Sequence, residues 1–113
     1  IARHARRRYT ASSASPFTTG YSTLQARQRN TFIAAATACI NETRKEPGNI
    51  AYDLHESVTD PAKMVFVEQW ENMEALGPHR TAEHMKTFGR VAVKCMMAPP
   101  RIEYITPANV TVR

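Results

Sequence analysis

The chain has 113 residues, 42% of them hydrophobic, and a formal net charge of +5, which sets the expectation of one domain with one modest core. The charge is lopsided: residues 1–41 hold six arginines and no acidic residue, whereas residues 42–113 hold nine basic and ten acidic side chains. The remainder is nearly neutral and shows no basic face interleaved with aromatic side chains, which argues against a nucleic-acid domain, and no run approaches the ~20 apolar residues that span a membrane.

Residues 1–15 are rich in arginine, serine and alanine, the composition of a basic leader or transit-like tail, and are expected to be disordered. That composition adds a mitochondrial option to an intracellular, cytoplasmic expectation. Cys39 and Cys95 lie alone in apolar segments without CxxC spacing, so they are expected to be buried free thiols of a reducing compartment. The domain is expected over residues 16–107, with a short tail at 108–113.

Within the domain, the β-branched and aromatic stretch 17–24 supplies the first strand. From Arg27 to Lys45, Phe32, Ala36, Cys39 and Ile40 recur at i, i+4, i+7 and i+8, one stripe of an amphipathic helix that Glu46-Pro47-Gly48 ends. Asn49 to Glu56 alternates with Ile50, Tyr52 and Leu54 on one face, and Met64 to Glu71 places Met64, Phe66, Glu68 and Trp70 together. The two read as an antiparallel hairpin. Asn72 is positioned to cap a short helical turn through Leu76, closed by Gly77-Pro78, and Thr81 to cap a longer helix running to Met97. Pro99-Pro100 stops that helix, and Arg101 to Ile105 forms the last strand. The order βαββαβ predicts an α+β, ferredoxin-like antiparallel sheet with both helices on one face. So short a chain also gains burial by pairing with a second copy.

Several runs now resemble a known family, the antibiotic-biosynthesis monooxygenase domain: EPG at Glu46 to Gly48, YDLH at Tyr52 to His55, EQWENMEAL at Glu68 to Leu76, HRTAEHMKTF at His79 to Phe88, and the proline-flanked last strand. The resemblance implies a homodimer in which two sheets close into a dimeric α/β barrel, each subunit keeping a small pocket between sheet and helices. It also implies a reaction with molecular oxygen on a small aromatic or quinol-like molecule, without a cofactor.

By the same resemblance Trp70 lines the pocket, and strand periodicity then points Glu68, Phe66 and Met64 the same way. Tyr52 and Phe88 complete the expected substrate wall. His79 and His84 match histidines of the quinol-oxidising and sugar-isomerising branches and are the expected catalytic acid–base groups, because imidazole exchanges protons near neutral pH. Phe66 and Leu76 stand where the polyketide-oxidising members carry an asparagine and a tyrosine, so those members' proton handling does not transfer to this chain. The haem-degrading branch would place its axial histidine near Gly89, which cannot ligate iron. The local spacing H-x-x-x-E-H from His79 to His84 matches no zinc-protease signature, so no metal is expected. Two alternatives accompany the oxygenase reading. One is an isomerase or lyase of a small phosphorylated sugar, with Arg80 on the phosphate, and the other a non-catalytic binding module.

Overall fold

From Phe17 onward, small and large side chains alternate so that Thr18, Gly20 and Ser22 are buried while their neighbours are not, and this stretch is strand β1 (Phe17–Thr23). The computed structural model describes residues 15–113, so the basic leader expected over residues 1–15 lies, apart from Ser15, outside the described residues. Helix α1 (Arg29–Thr43), strands β2 (Asn49–Glu56) and β3 (Lys63–Trp70), helices α2 (Leu76–Thr81) and α3 (Glu83–Cys95), and strand β4 (Arg101–Ile105) come after it in chain order. The sheet runs β2-β3-β1-β4 with every neighbouring pair antiparallel. This is the α+β, ferredoxin-like arrangement that the sequence predicts.

Helix α1 buries Phe32, Ala36, Cys39 and Thr43, a single stripe at 3.6-residue spacing. Helix α3 buries Ala92 and Cys95 beside the partly buried Phe88 and Met96. The two stripes pack on each other and cover the sheet face that carries Tyr52, Met64, Phe66 and Trp70. Phe32, Phe66 and Phe88 form a tilted aromatic triangle with ring centroids 5.5–6.4 Å apart. Each such ring contributes about 2 kcal/mol by leaving water, and the edge-on geometry adds to that. Both cysteines are buried and unpaired. At the far end, the Gln25 N–H donates to the Cys95 carbonyl and the Met97 N–H to that of Thr23, fastening the end of β1 to the end of α3. Among the described residues no helix is long and apolar enough to cross a membrane.

Two boundaries differ from the sequence expectation. Asn72 accepts the Ala75 N–H in a turn rather than capping a helix, and helix α2 begins at Leu76 and runs through Gly77-Pro78. A proline in the first turn of a helix interrupts nothing, because the N–H it lacks has no intrahelical partner there. Thr81 is therefore the last residue of α2 and donates back to the Pro78 carbonyl, so α3 starts after Ala82 with no side-chain cap and ends at Cys95, short of Met97.

Gly48, in the turn between α1 and β2, has φ of 84°, and a Cβ there would sit 2.6 Å from the Ala75 Cβ. Only glycine satisfies both demands. The turn consequently seats flat against the segment leading into α2, with the Glu71 N–H bonded to the Gly48 carbonyl at 2.9 Å.

Candidate active site

Between the sheet and the helices lies a cavity of about 200 Å³. Its floor exists because β1 places Gly20 opposite both Phe66 and Ile102, so no side chain rises from β1 between them. Phe32, Tyr52, Phe66 and Phe88 supply aromatic walls, and Met85 and Met96 of the α3 side supply thioethers. Among the described residues the polar side chains of the lining belong to Ser22, Glu68 and Tyr52, and none of those lining residues is a lysine, arginine or histidine.

Glu68 is 7% exposed and accepts the Trp70 indole N–H at 3.0 Å. Burial pushes its carboxyl up to about 7, against the lowering effect of the indole hydrogen bond and with a smaller upward push from Glu46. Tyr52 lies across from Glu68 in the strand register. Its phenol is held well above the ordinary tyrosine range, first by burial and then by the Glu68 charge, so it is a hydroxyl donor throughout the physiological range.

Behind Tyr52 stands a second polar group. The Glu46 Oε2 accepts hydrogen bonds from His79 Nδ1, at 2.7 Å, and from His84 Nε2, at 3.1 Å. Because a carboxylate only accepts, these contacts assign the ring protons to those two nitrogens. The turn after α1 supplies Glu46, α2 supplies His79 and α3 supplies His84. The His79 ring is held beside Trp70 and Tyr52, at centroid distances of 4.8 and 5.4 Å. Burial lowers the proton affinity of His79, opposed by its bond to Glu46.

The residues singled out from sequence thus divide into two sets. Tyr52, Phe66, Glu68 and Phe88 line the cavity. Trp70 is fully buried, and it reaches the cavity only through its bond to Glu68, while Met64 is core. His79 and His84 lie outside the lining, joined to Glu46. Arg80 stacks its guanidinium over Tyr104 at 4.7 Å and is likewise outside the lining. Sequence reasoning missed Glu46 as a site residue, since its EPG run reads as a helix stop and as part of the family resemblance. It also placed Phe32 in a helix stripe with no site role, and Phe32 both belongs to the core and lines the cavity. The donor atoms of Glu46, His79 and His84 all lie within 4.8 Å of one another, and this is the metal-capable grouping among the described residues.

A ferredoxin-like sheet roofed by helices, over an apolar cavity that holds one buried carboxyl, defines the class as an α+β domain of ferredoxin-like architecture. The sequence pattern described as "Antibiotic biosynthesis monooxygenase" matches residues 18–91, and the chain belongs to that family. "Putative monooxygenase YcnE" of Bacillus subtilis (strain 168) is 28% identical over 79 residues, covering 70% of this chain and 83% of that protein. Among solved structures, a conserved protein from Methanosarcina mazei Go1 superposes with a TM-score of 0.82 at 21% identity, covering 86% of this chain and 96% of its own. Rv0793 from Mycobacterium tuberculosis gives 0.81 at 22%, covering 88% and 100%. These structural likenesses speak to the fold.

Proposed function

We propose that the protein is a cofactor-independent monooxygenase that oxidises a one- or two-ring phenol or quinol with molecular oxygen. The observation that carries this reading is the apolar, aromatic-walled cavity with a single buried carboxyl whose proton exchanges near pH 7. About 150 Å³ is enough for benzene, so about 200 Å³ suits a substituted ring better than an extended polycycle. Glu68 takes the phenolic proton, and Tyr52 donates a hydrogen bond to the developing oxyanion. The electron-rich anion is its own reductant toward oxygen. One oxygen atom bonds to a ring carbon that gives up its hydrogen, and the second leaves as water with that hydrogen and the phenolic proton. Phenol plus oxygen thus yields quinone plus water, with no further electron donor.

We further propose that two copies pair through the open sheet face, where Tyr21 is 45% exposed and Val65 and Val67 are only half-buried, with none of the described helices above them. Oxygen uptake with a panel of one- and two-ring quinols tests the catalytic reading. Uptake is expected in the native protein and its loss in Gly20→Leu, which fills the cavity from the floor. Uptake unchanged in Gly20→Leu would place the chemistry elsewhere, and none across the panel would favour a non-catalytic binding module.

A further inference from the structure

We propose that Glu46, His79 and His84 form a binding site for a divalent first-row transition-metal ion of the zinc or iron(II) kind, behind the cavity wall and independent of the oxygenase reading. Two imidazole nitrogens and one carboxylate oxygen are the donor set that such ions prefer, whereas magnesium and calcium favour oxygen alone. Both nitrogens already converge on one oxygen, at 2.7 and 3.1 Å, and the three donors lie within 4.8 Å of one another. Around an ion with bonds of about 2.1 Å, donors sit roughly 3.0–3.4 Å apart, so shifts of about an ångström convert the hydrogen-bonded cluster into a coordinating one. The ion takes the place of the two bridging hydrogen bonds: each imidazole turns to the tautomer that carries its one proton on the other ring nitrogen, by exchange with water, and offers the freed lone pair to the ion.

The positioning comes from the fold. The three ligands belong to three elements, and the Gly48 turn that carries Glu46 is pressed against Ala75 just before α2. The His79 ring is fixed beside Trp70 and Tyr52. Among the described residues no lysine or arginine forms an ion pair with Glu46; Arg44 is engaged by Asp53 and Arg80 by the Tyr104 ring. Access comes from the solvent side: the His79 side chain is 5% exposed, but those of Glu46 and His84 are 14% and 21% exposed. Three protein ligands with an open side leave room for water, and a bound ion cross-links the α1–β2 turn, α2 and α3.

The test is titration of the chelator-treated, dialysed full chain with Co²⁺, monitored by visible absorption, and with Zn²⁺, monitored by thermal denaturation. One Co²⁺ per chain, displaced by Zn²⁺, is expected, with a rise in Tm on the order of 10 °C at ~100-fold excess of Zn²⁺ over its Kd. Glu46→Gln and the partly exposed His84→Ala should each weaken binding at least ~10-fold, while His55→Ala, altering an exposed histidine on β2, should not. Absence of both signals in the native chain, their survival in Glu46→Gln and His84→Ala, or their loss in His55→Ala would each overturn the site. Neither readout passes through turnover, so this proposal and the oxygenase reading fail separately.

Discussion

Two carboxyl groups lie on either side of Tyr52 and are satisfied in opposite ways. Glu46 is met by two imidazole donors on a single oxygen, in a cluster assembled from three elements. Glu68 has one indole donor, no cation, and an apolar cavity in front of it. Glu68 is buried and Glu46 is only partly so, and their surroundings differ more than their exposure does. The first arrangement is a bracing contact whose donors are saturated by one another. The second holds its proton more tightly than a solvated carboxyl does, so that it exchanges near neutrality. The family resemblance makes the two histidines the expected acid–base pair, and the residues that line the cavity include Glu68 and neither histidine.

The sharpest way to break this comparison is to make the two carboxyl groups into amides. Glu68→Gln should lower oxygen uptake by roughly 10²–10⁴-fold, the usual worth of a positioned general base. Glu46→Gln should leave uptake within a few-fold of the native rate. If instead His79→Ala and His84→Ala abolish uptake while Glu68→Gln keeps it, the base is in the histidine cluster and the two roles exchange. The native pH–rate profile should rise through about pH 7 as Glu68 loses its proton, and the Glu68→Gln profile should lack that limb.

Stability depends on the same group with the opposite sense. Glu68 holds its proton to about pH 7 in the folded chain and only to about 4.5 unfolded. Its contribution to stability is therefore greatest below pH 4.5, declines as pH rises toward 7, and is gone above. The full swing is about 3 kcal/mol. Denaturant melts from pH 4.5 to 8 should show this decline in the native chain and a flatter curve in Glu68→Gln. A smaller change comes from the turn on the other side. Gly48→Ala meets both a disallowed backbone and the Ala75 side chain, so it should cost about 1–3 kcal/mol in denaturant melts while leaving the cavity carboxyl intact. The smallest effect belongs to Trp70→Phe. It removes the hydrogen bond that lowers the Glu68 proton affinity and should move the rising limb of the pH–rate profile upward by less than one unit.

The strands and the first helix were legible because their periods are strong: Tyr52 and Leu54, Phe66 and Glu68, and the Phe32–Ala36–Cys39 stripe all point as their spacing requires. The α2 and α3 boundaries were not, because Gly77-Pro78 reads as a helix stop when it falls in the first turn of a helix. Half of the site was visible for a similar reason. Glu68 and Phe66 go with Trp70 by strand alternation. Glu46 does not emerge from any local spacing, since 33 residues separate it from His79 and only the Gly48 turn brings them together. A cavity wall and a core stripe are also composed alike, so Phe32 and Met96 announce themselves as packing residues until the emptiness at Gly20 is seen.

Two sulfur atoms beside that emptiness set a limit of a different kind. Met85 lines the cavity, and its thioether accepts the Cys39 thiol at 3.4 Å, with Met96 also on the wall. For a protein that admits oxygen to this space, each thioether is an oxidisable target, and one sulfoxide turns an apolar wall into a polar one. On the proposed oxygenase reading, the protein carries its own clock, its working lifetime counted in turnovers and restored by a reductase that returns the sulfoxide to methionine.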